Sequence, residues 1–120
     1  MKVKFRAWDI VGCKGWVYGD LTHNQKVTKT GLEPRTMVGG YEVDPNSVCM
    51  FTGLKDRKGT DIYEGDILAI YYNDKKLFEA PVIWREGLAG FCIDEGDGCF
   101  SFIPKEYAEV IGQTYKSDGK

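Results

Sequence analysis

Residues 52–66 read TGLKDRKGTDIYEGD, and the apolar run ILAIYY follows at 67–72. Acids, glycines and a tyrosine at this density fit either a catalytic or metal-binding loop or two tight turns feeding a strand. The residue types favour turns. Lys55–Asp56–Arg57–Lys58–Gly59 begins on an acid that can hold turn amides and ends on a glycine. Tyr63–Glu64–Gly65–Asp66 is a second turn, in which Gly65 takes a positive φ at little steric cost. Ile67 to Tyr72 then has the length, branching and aromatic content of a buried strand.

Working outward from that strand, the chain alternates short strands with polar turns. Asn73–Asp74–Lys75–Lys76 is a turn, and Leu77 to Trp84 is a strand in which Pro81 implies an edge or a bulge. Glu86 to Gly90 turns the chain, Phe91–Cys92–Ile93 is a strand, and Glu95–Gly96–Asp97–Gly98 is a hairpin turn. Cys99 to Ile103 alternates again, Pro104–Lys105–Glu106–Tyr107 fits one 3₁₀ turn, and Ala108 to Tyr115 closes as a last strand. Five short strands with a 3₁₀ turn before the fifth predict a small, closed SH3-like barrel over 60–115 in an all-β protein. The tail at 116–120 is expected to fray.

Toward the N-terminus, Lys2 to Ala7 alternates polar and apolar residues, the period of a strand with one wet and one buried face. Its basic face, Lys2, Lys4 and Arg6, reads as a solvated stripe. Val11 to Gly15 is a turn and Trp16–Val17–Tyr18 the second strand of a hairpin. Residues 19–47 have no regular period. Pro34, Pro45 and the Gly39–Gly40 pair argue against a long helix, so this segment is expected to be an irregular connector with short strands at Val27 and Tyr41–Val43. The division is therefore 1–59, with hairpin and connector, and 60–115, the barrel.

The composition excludes several classes. The chain has 120 residues, 42% hydrophobic and 13% aromatic, with a formal net charge of −2. This aromatic content argues against disorder, and the acidic balance against non-specific nucleic-acid binding. No apolar stretch approaches the roughly 20 residues of a membrane span, and MKVKFRAWDI is not a signal peptide, so a cytoplasmic location is expected. In that setting Cys13, Cys49, Cys92 and Cys99 are expected to be reduced structural thiols. No pair has C-x₂₋₄-C zinc spacing, and Cys92 and Cys99 are expected to be neighbours across a hairpin. His23 lies in a polar stretch without a partner and is expected at the surface. No cofactor or metal is expected.

KFRAWD near the start, TGLKDRKGTDIYEGDIL at 52–68 and EVIGQTY at 109–115 together resemble the YopX family of phage and prophage proteins. The resembling central positions are Thr52, Gly53, Leu54, Lys55, Asp56, Gly59, Ile62, Tyr63, Glu64, Gly65 and Asp66. Glu109–Val110–Ile111–Gly112 resembles the closing element, which is commonly followed by Asn where Gln113 stands. The resemblance implies a small cytosolic protein of a phage or prophage and carries no catalytic residues. The motif positions are expected to be structural: glycines for turns, Ile62 and Tyr63 in the core, Glu64 and Asp66 accepting turn amides.

The expected function is non-catalytic capture of a host or phage protein. Candidate partner-binding residues are Trp84, Pro104 and Tyr107, since Pro104 to Tyr107 is similar to the P-x-x-Y segment lining SH3 peptide grooves. Self-association is expected through the 19–47 segment. The alternative is a metal-dependent nucleic-acid enzyme or a nucleic-acid-binding protein. The enzyme requires Asp61, Glu64 and Asp66 to converge on a cation. Nucleic-acid binding requires a basic face from Lys75, Lys76 and Arg85.

Overall fold

The computed structural model describes residues 3–12, 14–96 and 98–115. Lys2, Cys13, Asp97, the tail at 116–120 and the side chain of Cys99, all given roles by the sequence, lie outside what is described. The protein is mainly β, with antiparallel sheets and short 3₁₀ turns. The chain packs as two compact units, Met1–Met50 and Phe51–Lys120. The Thr52–Gly59 stretch thus belongs with the second unit, whereas the sequence division set it in the first.

In the first unit, β1 (Phe5–Trp8) pairs with β2 (Trp16–Gly19) as the expected hairpin, Ala7 opposite Val17 and Trp8 opposite Trp16. Phe5 and Arg6 also pair with Met50 and Cys49 at the start of β6 (Cys49–Lys55), once the chain has passed through three further strands. The core is Ala7, Val17, Val38 and Val43, with Phe5, Leu21 and Val48 packed against it. Arg6 departs from the expected wet stripe. It is buried, its guanidinium 4.6 Å from the centroid of Trp16. An arginine stem and planar head can cover aromatic surface, so alternation of charge does not mark a solvated face here.

The expected irregular connector is regular. β3 (Leu21–Thr28) and β4 (Gly31–Val38), 8 residues each, form a hairpin, followed by β5 (Tyr41–Glu42) and a 3₁₀ turn at Pro45–Ser47. Leu21 and Val38 at its root join the core, while His23 to Gln25 and Gly31 to Pro34 are exposed. The short strands expected at Val27 and Tyr41–Val43 fall in β3 and β5, but an outer half that wets both faces carries no apolar alternation, which hid the full hairpin from the sequence. Gly39 turns β4 into β5 with φ +59, and a Cβ there would lie 2.3 Å from the Tyr18 carbonyl oxygen.

In the second unit, β7 (Asp61–Tyr63) pairs with β6, and a five-stranded sheet follows. Its strands are β8 (Asp66–Tyr72), β9 (Lys75–Arg85), β10 (Gly90–Gly96), β11 (Cys99–Ser101) and β12 (Ala108–Gln113). They lie in the order β11-β10-β9-β8-β12, with 3₁₀ turns at Glu86–Leu88 and Lys105–Tyr107. β11 and β12 end the order, so the expected closed barrel is not found among the described residues. The meander itself, with a 3₁₀ turn before a last strand, is as the sequence predicted, and that last strand returns to pair with β8. Ile62, Leu68, Ile70, Ala80, Val82, Ile93 and Ala108 form the core. Fully burying each large aliphatic side chain contributes about 1.5–3 kcal/mol.

Two local expectations change with the register. β9 is an interior strand, yet Pro81 costs no ladder bond at a central position. Residues up to Pro81 pair with β8, and pairing with β10 begins at Val82. Cys92 and Cys99 are not cross-strand neighbours, because Cys99 pairs with Gly96 and Cys92 with Ile83. Cys49 and Cys92 are buried, and the Cys49 thiol donates to the Ser47 carbonyl at 3.3 Å.

Candidate functional site

The quoted stretch folds from its side-chain acceptors. Thr52, buried, donates its hydroxyl to the Ile62 carbonyl at 2.7 Å and accepts the Leu54 amide at 3.2 Å. Gly53, at φ +88, lies where the β6–β7 register shifts between Phe51 and Lys55, the kind of bulge that favours glycine. Asp56 is buried and holds the first turn. One carboxylate oxygen accepts the amides of Lys58 and Thr60, each at 2.9 Å, and Gly59 donates to the Asp56 carbonyl at 3.0 Å. The other oxygen accepts the Val110 amide at 2.9 Å, while Arg57 donates its own amide to the Ala108 carbonyl at 3.0 Å. The turn therefore covers the outer edge of β12, a row of polar groups that would otherwise stand open.

The second turn works alike. Asp66 is fully buried and accepts the Tyr63 amide at 2.8 Å, as the sequence led one to expect of it. Gly65, at φ +84, donates to the Val82 carbonyl at 2.8 Å and accepts the Thr114 amide at 2.7 Å. Ile62 and Tyr63 are buried, with Tyr63 tilted against Phe51 at 5.5 Å between centroids. Glu64 is half-buried.

A charged rim surrounds the first turn. Arg57 bonds Glu109 at 2.8–2.9 Å and lies 4.2 Å from the centroid of Tyr71, with Lys58 3.5 Å from the same carboxylate. The Arg57 hydrogen bond, aided by the charges of Lys58 and Arg57, holds the Glu109 carboxyl below its ordinary value, against the opposing effect of burial. Sequence reasoning missed a third acid of this kind, Asp9 of the KFRAWD segment. It is buried and accepts the amides of Val11 and Gly12 at 3.0 Å and of Lys14 at 3.3 Å. The Gly12 amide foremost, then those of Val11 and Lys14 and the Lys14 charge, lower its pKa although burial raises it. The signal was present: an Asp followed by IVGCKG is the start of an Asx-type turn.

The acids proposed for cation binding do not converge. Asp61 pairs with Lys55 at 2.8 Å, and Asp66 is turned to the Tyr63 amide. Among the described residues no three His, Cys, Asp or Glu side chains gather as a metal ion requires. Several basic side chains are also matched locally: Lys26 by Glu42, Lys55 by Asp61, Arg57 and Lys58 by Glu109, and Lys76 by Glu79. His23 is exposed on β3.

What the second unit presents outward is aromatic. Trp84, 48% exposed, stands opposite Phe91 with the rings edge-to-face at 5.1 Å. Trp84 shares its strand parity with the core residues Phe78, Ala80 and Val82, so it extends the apolar face beyond the covered core. Tyr107, 55% exposed, ends the 3₁₀ turn that Pro104 opens, its amide donating to the Pro104 carbonyl at 2.9 Å. Phe102, 83% exposed, was not singled out from the sequence. Trp84 and Tyr107 are not in ring contact with each other.

A mainly β protein with turn-holding acids and outward aromatics is the class these features define. The family follows from the whole chain: the YopX protein family model matches residues 4–119, and the chain belongs to that family. Among solved structures it is similar to protein EF1440 from Enterococcus faecalis, in a crystal structure, at 22% identity. That match has a TM-score of 0.54 and covers 94% of this chain and 93% of the other, a likeness of fold. No curated protein matches the chain.

Proposed function

We propose that this YopX protein is a phage- or prophage-encoded module that captures a host or phage protein in the bacterial cytoplasm, stoichiometrically and without turnover. The observation that carries this reading is the Trp84–Phe91 pair, a large aromatic surface left half open on a rigid strand pair. Exposed tryptophan and tyrosine supply much binding energy for little entropy, and interface energy concentrates in them. The five-strand order with its 3₁₀ turn supports an SH3-like reading, in which Pro104 and Tyr107 belong to the same peptide-binding face as Trp84. Asp56 and Asp66, meanwhile, are engaged as acceptors of main-chain amides, which supports a turn-building role for these two motif acids. No helix among the described residues is long and apolar enough to cross a membrane.

The competing reading is a metal-dependent nucleic-acid enzyme. Incubation with single- and double-stranded DNA and RNA in Mg²⁺ or Mn²⁺ separates the two. The expected result is no cleavage above buffer by the wild type. Cleavage that disappears in Asp66→Asn, with the unfolding transition intact, would overturn the binding reading.

A further inference from the structure

Sheet edges in this fold are guarded, with one exception. Among the described residues, β12 is covered by Asp56 and Arg57, and the outer edge of β4 carries Pro34, which has no amide to offer. Other terminal strands are short: β2 has 4 residues, β7 and β11 have 3 each. β3 has 8 residues, pairs only with β4, and contains no proline and no bulge. Long, regular, unguarded edges are templates for another strand.

The register says which groups stand open. Thr28 and Gly31 close the hairpin around Lys29 and Thr30, so alternation turns the main chain of Thr22, Asn24, Lys26 and Thr28 toward β4. His23, Gln25 and Val27 turn their amides and carbonyls outward. The position of Pro34 agrees, since it stands opposite Gln25, where neither strand needs a donor for the other. The edge is also apolar at its end: Val27 is 84% exposed and its cross-strand partner Leu32 63%. The lone charge of the strand, Lys26, is paired with Glu42 at 3.0 Å, so it does not repel a second strand of the same sequence.

We propose that β3 is the site of self-association, pairing antiparallel with β3 of a second copy about a two-fold axis. This rests on the first unit and is independent of the aromatic surface. An isologous contact of this kind closes as a dimer and leaves no free end to propagate. An axis through Gln25 sets Gln25 against its own copy and His23 against Val27 of the partner subunit. Each outward residue then exchanges both main-chain bonds, for about six in all. The paired strands continue one antiparallel ribbon across the axis and bring Val27 and Leu32 alongside the side chain of His23 of the partner subunit.

Sedimentation equilibrium of the wild type, Gln25→Pro and Val27→Lys tests it. Proline at 25 removes an outward donor and no hairpin bond, as Pro34 already does across the ladder; lysine at 27 adds a repelling charge. The expected result is a reversible wild-type dimer whose dissociation constant rises at least about tenfold in both variants. Their circular dichroism and thermal unfolding at dilute concentration should match wild type. In the wild type alone, amide exchange at His23, Gln25 and Val27 should slow as concentration rises. A wild type that stays monomeric at about 100 μM, a range that weak dimers still populate, would overturn the proposal. So would variants that dimerise unchanged, concentration-independent exchange at those amides, or a monomer whose β3 edge takes up only an unrelated peptide or a nucleic acid.

Discussion

Asp56 gathers three main-chain amides on one carboxylate, from Lys58, Thr60 and Val110, and the last of these belongs to a strand 54 residues away in sequence. Removing such an acceptor leaves three part-buried donors without it at once, which costs more than the net worth of any one bond. Asp56→Ala should therefore lose about 2–4 kcal/mol by urea denaturation. The neighbouring Lys55–Asp61 pair is a surface ion pair with Lys55 exposed. Lys55→Ala should lose no more than about 0.5–1 kcal/mol. A reversal of that order would mean the turn is not what holds β12. Glu109 and Asp9 supply a pH test. Both carboxyls titrate below their ordinary values in the fold. The stability they confer is complete above the unfolded-state pKa and is lost as pH falls through the lower folded one. Glu109→Gln should thus be less stable than wild type at pH 7, with the gap closing in acid below the ordinary carboxylate range. A gap that is constant with pH would contradict the Arg57–Glu109 bond.

At the scale of elements, turns separate by what surrounds them. Gly39 and Gly40 both have positive φ, but only Gly39 would press a side chain into the Tyr18 carbonyl; Gly40 faces open space. Gly40→Ala should cost about 1–2 kcal/mol for the left-handed conformation alone. Gly39→Ala should cost clearly more, measured by the same denaturation. Legibility followed the same logic. β8, β9, β10 and the 3₁₀ turn at Lys105–Tyr107 could be read because each strand sets branched or aromatic residues toward one core, between glycine- or asparagine-bearing turns. Of β3 and β4 only the short strand at Val27 could be read, since their outer halves wet both faces and a strand held by its cross-strand ladder alone leaves no period in the sequence. Arg6 is the opposite case: a charge in strict alternation predicts a wet face, yet it packs over Trp16. The motif acids were legible as turn residues. That Asp56 reaches Val110 was not, because a contact so distant in sequence has no local signature.

For the whole molecule, the family motif and the aromatic surface should separate in their effects, with the buried acids maintaining the fold and Trp84 engaging the partner. The most direct measurement is affinity capture from cells that express the protein, quantified per mole of bait, with wild type, Trp84→Ala and Asp66→Asn compared at a temperature where all three are folded. Trp84→Ala should unfold as wild type does and lose capture at least about tenfold, the effect of deleting an interface anchor. Asp66→Asn should lower the unfolding midpoint and capture the same partner at the same stoichiometry. Undiminished capture by Trp84→Ala, or loss of capture by a folded Asp66→Asn, would contradict the assignment of these two roles.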